Sequence, residues 1–286
     1  MTSPPIQWYP GHIAKAEKAL KAQLKLVDVV LEVRDARIPL ATRHPQVAQW
    51  VGNKARVLVL NRMDMIPSQA LRLWMEWFKE QGEEPHFTNA QDGKGVTAIA
   101  QAALRAGVEV NQRRRDRGML PRAVRAVVIG FPNVGKSALI NRLLNRRVVE
   151  SAARPGVTRQ LRWVRISEQL DLLDAPGVIP AKLDDQAAAF KLAICDDIGD
   201  ASYDNQRVAA ALIHLLKHLD ARPAGLLPHP LQSRYGLDHT DLTSEDYLHA
   251  LADWRNQGDV ERTARQLLTD LRKGFLGAIC LELPPN

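Results

Sequence analysis

Cysteine is nearly absent from this chain. Its 286 residues include two, Cys195 and Cys280, each in an apolar run and neither in a C-x-x-C pair. Two buried, reduced thiols suit a cytoplasmic compartment, and a disulfide between them stays open. Also missing is any apolar run near the roughly 18 residues of a membrane span, so no membrane partner is expected. Met1 to Ile6 is too short for a signal or transit peptide. Internal repeats are absent. Acidic residues are in deficit: 32 against 39 basic ones gives a formal charge of +7. That balance suits a polyanionic partner such as nucleic acid, and equally a basic protein without one. Hydrophobic residues make up 45% of the chain, enough for the core of one large domain or two ordinary ones.

The order of apolar runs gives the architecture. Leu26 to Val33, Arg56 to Leu60, Glu84 to Thr88 and Val124 to Gly130 read as buried strands. Helical stretches lie between them, at Pro45 to Gly52, Ser68 to Gln81 and Gly95 to Ala106. Continuously apolar strands alternating with helices indicate a parallel sheet covered on both faces. Leu161 to Ile166 and Gln169 to Leu173 read as two strands joined by a tight turn. A basic helix is expected within 10–25, with Lys15, Lys18, Lys21 and Lys25 on one face. Arg113 to Gly118 reads as a basic connector. After residue 184 the spacing becomes helical, at Ala187 to Ile194, Asn205 to Leu219, Ser244 to Arg255 and Val260 to Arg272. Ala221 to Thr240, rich in Pro and Gly, reads as loop. Thr243 with Asp246 resembles a capping box. The expected division is an α/β domain over 1–184 and a small all-α domain over 185–286.

Gly130-Phe131-Pro132-Asn133-Val134-Gly135-Lys136-Ser137 fits G-x-x-x-x-G-K-[ST], the phosphate-binding loop. A buried strand precedes it and a helix follows, which is the context that pattern requires. Its glycines let backbone N–H groups approach phosphates, and the helix start adds a positive dipole end. Lys136 is expected on the β- and γ-phosphates, and the Ser137 hydroxyl on Mg²⁺. Asp174-Ala175-Pro176-Gly177 follows a strand. Asp174 can hold Mg²⁺ through water, and the Gly177 N–H can meet the γ-phosphate. Thr158, in Pro155-Gly156-Val157-Thr158, is the candidate switch threonine for Mg²⁺ and γ-phosphate. Asn61-Arg62-Met63-Asp64 resembles N-K-x-D, the guanine-reading motif. A carboxylate at Asp64 would accept from guanine N1–H and the 2-amino group, which adenine cannot match. Arg62 stands where that motif has Lys. Thr88-Asn89-Ala90 resembles the loop whose backbone N–H meets guanine O6.

The base-reading motif comes before the phosphate loop, in rotated order. This order resembles a circularly permuted P-loop GTPase. The opening Trp8-Tyr9-Pro10-Gly11-His12-Ile13-Ala14-Lys15-Ala16 is similar to the start of the ribosome biogenesis GTPase A family. The resemblance implies a permuted GTPase domain with a mostly parallel sheet, followed by a helical domain that binds RNA or the ribosome. It implies Mg-dependent GTP hydrolysis coupled to assembly of the large ribosomal subunit, with GTP-state binding and release on hydrolysis. The implied partners are GTP/GDP, rRNA and ribosomal proteins, with no DNA expected. The implied nucleotide contacts are Asn61, Arg62, Met63, Asp64, Asn89, Ala90, Asn133, Val134, Gly135, Lys136, Ser137, Ala138 and Gly177. Two other readings stay open at this point. One is a GTPase switch acting on another RNA or a membrane-associated partner. The other is an RNA-binding module with nucleotide as a structural ligand.

Many GTPases carry Gln directly after D-x-x-G to orient the attacking water. Here Val178 and Ile179 follow, and neither side chain can hydrogen-bond a water. Slow intrinsic hydrolysis is the expectation. The resemblance makes His12 a candidate for positioning the water, against its reading as a surface or RNA-contacting histidine. It also makes Asn133 a candidate ligand for K⁺ beside the phosphates, against a role in shaping the loop. The connection from Asp174 into the helical domain offers a route by which nucleotide state could tilt that domain. Arg113, Arg114, Arg115 and Arg117, with Arg255, Arg262, Arg265, Arg272 and Lys273, favour an RNA footprint. Tyr247 and Trp254 could stack on bases, with core packing the expected place of both.

Overall fold

The computed structural model describes residues 4–7, 11–144, 161–180, 182–220, 229–238 and 240–285, with 11–16 and 201 described by backbone alone. In chain order the first region carries α1 (Gly11–Gln23), β1 (Val29–Asp35), α2 (Val47–Val51), β2 (Ala55–Asn61), α3 (Ser68–Glu80), β3 (Pro85–Thr88) and α4 (Val96–Asp116). Then come β4 (Val124–Ile129), α5 (Lys136–Leu143), β5 (Arg162–Ser167) and β6 (Leu170–Asp174). The remainder is helical: α6 (Gln186–Cys195), α7 (Asn205–Asp220), α8 (Pro230–Tyr235), α9 (Ser244–Asn256) and α10 (Val260–Arg272).

The six strands form one sheet in the order β3-β2-β1-β4-β6-β5. All neighbours are parallel except β5 and β6, which are antiparallel. Strand residues alternate between the two faces of the sheet. Val29, Leu31, Val33, Val57, Val59, Ala126 and Val128 point to a core shared with α4, α5 and the helical region. Val30, Val127, Ile129 and Leu173 pack instead against Leu20 and Leu24 of the N-terminal helical segment and Trp50 of α2. Leu58 and Leu60 meet Ala70, Trp74 and Phe78, spaced four residues apart on α3. Burial on both faces explains why these strands read as apolar throughout.

The helical region is built on local signals. Asp185 accepts from the Ala188 N–H at the start of α6, and Asp259 from the Arg262 N–H at the start of α10. Thr243 Oγ1 accepts from the Asp246 N–H at 3.0 Å. The Asp246 carboxylate accepts from the Thr243 hydroxyl rather than from its backbone, so the capping box is half formed.

Three readings differ from the sequence expectation. Arg113, Arg114 and Arg115 are not a connector but the last turn of α4, because the positive end-charge suits a helix C-terminus. The stretch read as loop contains α8, opened by Pro230 and closed at Gly236 in a left-handed conformation. Tyr247 is buried, but Trp254 is 70% exposed. Cys195 and Cys280 are both buried and unpaired with each other.

Both chain ends cross between regions. The Ile6 N–H donates to Gln186, and the Gln7 side chain bonds both the carbonyl and the N–H of Leu183. At the other end, the N–H groups of Ile279 and Leu281 donate to the carbonyls of Met65 and Arg37. Cys280 joins the α3 core.

Candidate active site

Strand order fixes where a ligand can bind. From β1 the chain moves outward through β2 and β3; from β4 it moves the other way to β6. The crevice therefore lies at the carboxyl ends of β1 and β4, where the winding reverses. Asp35, Asn61, Thr88 and Asp174 end β1, β2, β3 and β6 there, and Gly130 follows β4.

Asn61 is the hinge of this arrangement. Its Nδ2 donates to the Val134 carbonyl of the phosphate loop at 2.8 Å. Its Oδ1 accepts from the Ala90 N–H at 3.0 Å and from the Thr88 hydroxyl at 3.2 Å. Three loops distant in sequence are thus joined through one buried amide. A Cβ on Gly135 would lie 2.0 Å from Asn61 Nδ2, so only glycine admits the contact. The Ala90 N–H already has an acceptor here, and Asn89 Oδ1 closes a turn by accepting from the Gln91 N–H. Asp64 stands on a short 3-10 turn, Met63–Met65. Its carboxylate is exposed and makes no hydrogen bond among the described residues.

Lys136 opens α5 and is buried. Its ammonium donates to the Phe131 carbonyl at 2.7 Å and the Gly130 carbonyl at 3.2 Å. Burial pulls its pKa down to about 8, against the pull of Asp174 and Asp197. Asp174 is 1% exposed, and burial pushes its pKa up to about 6, against Lys136 and Arg162. Its Oδ1 has no hydrogen-bond partner among the described residues. A buried carboxylate oxygen left open beside a phosphate loop fits a hydrated Mg²⁺. Gly177 lies against that loop, since a Cβ there would stand 2.6 Å from the Pro132 nitrogen. The Val178 N–H donates to the Gly130 carbonyl at 3.1 Å. The side chains of Val178 and Ile179 are buried, on the two opposite cores.

Ser137 and Ala138 follow Lys136 in the first turn of α5. Thr158 lies outside the described residues. His12 falls in α1, where only the backbone is described. The crevice thus brings together Asn61, Arg62, Asn89, Ala90, the phosphate loop, Asp174 and Gly177.

Several charged residues were not singled out in the sequence. Asp35 takes both Nε and Nη2 of Arg37, the latter at 2.7 Å, and the Arg62 Nε lies 3.3 Å away. Arg37 holds the Asp35 carboxyl below the usual range despite burial, and the same pair raises Arg37. Arg62 Nη2 donates to the Asn133 carbonyl at 2.9 Å. His44, tilted against Trp50 with ring centroids 4.3 Å apart and near Phe131, is driven down to about 4 by burial. The available signal was charge inside an apolar run: Glu32, Arg34 and Asp35 interrupt β1. A groove of about 650 Å³ between α6, α7 and α9 contains none of the motif residues.

Comparison with known proteins agrees with this geometry. The family described as "50S ribosome-binding GTPase" matches residues 125–250. Ribosome biogenesis GTPase A of Bacillus cereus is 36% identical, covering 98% of this chain and 94% of its own. The chain belongs to the ribosome biogenesis GTPase A family. GTP hydrolysis and a place in ribosome biogenesis come with that membership. The Priestia megaterium member is 35% identical over 98% of this chain and 97% of its own. Among solved structures, GNP-bound YlqF from T. maritima superposes with a TM-score of 0.65. It is 23% identical over 95% of this chain and 99% of that one, a likeness of fold. The fold is a circularly permuted GTPase with a helical C-terminal region.

Proposed function

We propose that this chain binds GTP in the crevice at β1 and β4 and hydrolyses it to drive assembly of the large ribosomal subunit. The observation that carries the reading is Asn61, whose one amide joins the base-reading loop, the Thr88–Ala90 loop and the phosphate loop. A pocket so tied can grip base and phosphates together.

Asp64, exposed and unpaired among the described residues, accepts from guanine N1–H and the 2-amino group. Arg62 does what the family's Lys would do and more, because its second nitrogen reaches Asp35. Lys136 exchanges its loop carbonyls for β- and γ-phosphate oxygens, which restore the favourable charge that burial weakens. The Ser137 hydroxyl, Asp174 and Thr158 would hold Mg²⁺. The ion supplies positive charge against the phosphates when bound. Asn133 Oδ1 accepts no hydrogen bond among the described residues and is the proposed K⁺ ligand. With Val178 and Ile179 buried, neither side chain reaches the attacking water. His12 on α1 is the proposed residue for that task once the ribosome is bound.

Calorimetric titration with GTP and ATP tests the pocket: GTP should bind and ATP should not. Co-sedimentation with purified large and small subunits under GDP, GTP and a non-hydrolysable analogue tests the partner. Retention on large subunits with the analogue and loss with GDP are expected. Equal binding of ATP, or no preference for large subunits, would contradict the respective half.

A further inference from the structure

The last turn of α6 ends against the phosphate loop. Every helix leaves its final carbonyls without intrahelical partners. Here, besides the Asp196 N–H on the Ala193 carbonyl, donors from three other elements reach this turn. Arg272 of α10 donates to Ala193 and Ile194, at 2.8 and 3.0 Å. Arg37 donates to Cys195 at 3.2 Å. Asn133 Nδ2 donates to Asp196 at 2.7 Å. The opposite amide orientation would set two oxygens against each other, so the donor assignment follows from the contact itself.

Backbone strain collects at the same place. Five non-glycines among the described residues have positive φ, and three of them meet here: Arg62 at 65°, Asn133 at 56° and Asp196 at 67°. Arg62 holds the Asn133 carbonyl, and Asn133 holds the Asp196 carbonyl. Left-handed backbone at such residues persists only where surroundings enforce it, and such positions cluster at ligand clamps and switches. At Asn133 the left-handed turn sits between Gly130 and Gly135, where successive N–H groups can face an anion. Beyond the contact lies Asp197, 0% exposed, with neither carboxylate oxygen hydrogen-bonded among the described residues.

We propose that the C-terminal turn of α6 is a working part of the nucleotide pocket, with Asp196 a positioning residue that holds Asn133 through its backbone carbonyl. The inference rests on the crevice being a nucleotide site. Its consequence is reciprocal: nucleotide that orders the phosphate loop also secures the helical region, and loosening α6 weakens nucleotide binding.

The short contact uses the carbonyl, at 2.7 Å; the Asp196 carboxylate stands farther off, 3.5 Å from the same amide nitrogen and 3.9 Å from Arg272, so the residue at 196 acts mainly through φ. Asp196→Gly keeps both turn and carbonyl, whereas Asp196→Val opposes the left-handed turn. Asn133→Ala removes the donor from the other side. GDP affinity, read with a fluorescent analogue, should fall about fivefold in Asn133→Ala and in Asp196→Val, the worth of one hydrogen bond. Asp196→Gly should stay within about twofold. The double variant Asn133→Ala/Asp196→Val should be no weaker than the worse single one. GDP should slow amide exchange at Asp196 and Asp197 in the parent and in Asp196→Gly, and not in Asn133→Ala. Additive losses, or equal GDP protection in Asn133→Ala, would overturn the proposal. If Asp196→Val does not fold, the exchange comparison with Asn133→Ala decides alone. A parent chain that takes up no guanine nucleotide overturns the site reading, and this inference with it.

Discussion

His44 is neutral in the folded chain because its ring is shut between Trp50 and Phe131. Its pKa is about 4 against an ordinary 6.5. Between those values the unfolded chain takes up a proton that the folded one refuses. The stability this contributes is complete above pH 6.5 and is lost as pH falls toward 4. At pH 5 the loss amounts to about 2 kcal/mol. Asp174 acts with the opposite sign over nearly the same window, since burial raises its pKa and protonation relieves a buried charge. The measurement must therefore be a difference. Urea denaturation of the parent and of His44→Asn, at pH 7 and pH 5, should show the parent losing about 2 kcal/mol more. Equal losses would clear His44. This residue also shows where sequence reading stops. Lys136, Asp174 and Asn61 were legible because their neighbours in sequence state their chemistry. His44, Asp35, Arg37 and Asp196 draw their roles from contacts made across the fold. Arg37 and Cys195, for one, lie 158 positions apart.

At the scale of elements, strands and helices followed from apolar spacing because each buries a face that its own periodicity defines. Misreadings came where no periodicity exists. The Arg113 to Arg115 run carries no apolar signal, and α4 extends through it on helix continuity and end-charge. The C-terminal tail carries no periodicity either, and no element is expected of it. As sequence it is a few apolar residues; in the fold it is a strap over the first region. Glu282 is its fastening, accepting from the N–H groups of Leu40 and Ala41, at 2.7 and 3.2 Å, and from Lys191 of α6 at 3.1 Å. Trp74 Nε1 donates to its carbonyl. Glu282→Ala would leave two inward N–H groups without a partner, at about 2–4 kcal/mol. Thr243→Ala removes an exposed cap of α9 and should cost about 1 kcal/mol. Urea midpoints of the two variants should differ accordingly. Equal costs would mean that the strap contributes no more than a surface cap.

At the scale of the whole molecule, the α4 arginine cluster and the proposed nucleotide crevice lie at opposite ends of the sheet. α4 begins beside the end of β3, where Gly95 lies against the Phe87 carbonyl. Its 21 residues carry it about 30 Å down the sheet to the start of β4. The arginines of its last turn therefore project far from the crevice. Arg113 is 68% exposed beyond its pairing with Glu109. Leu120, just past the helix, is 84% exposed. Surface ion pairs of this kind hold their charges loosely, so the cluster stays available to phosphates. With an overall charge of +7, the cluster suits a footprint on rRNA. Replacing Arg113, Arg114 and Arg117 together by Ala should weaken retention on large subunits and flatten its salt dependence. The slope should fall by up to about one unit for each phosphate no longer neutralised. GTP affinity should not change, because the Debye length of about 8 Å at physiological salt is far shorter than the helix. A fall in both affinities together would mean that the arginines act through the fold. An unchanged salt slope would move the footprint to another face, with the basic residues of α10 next in line.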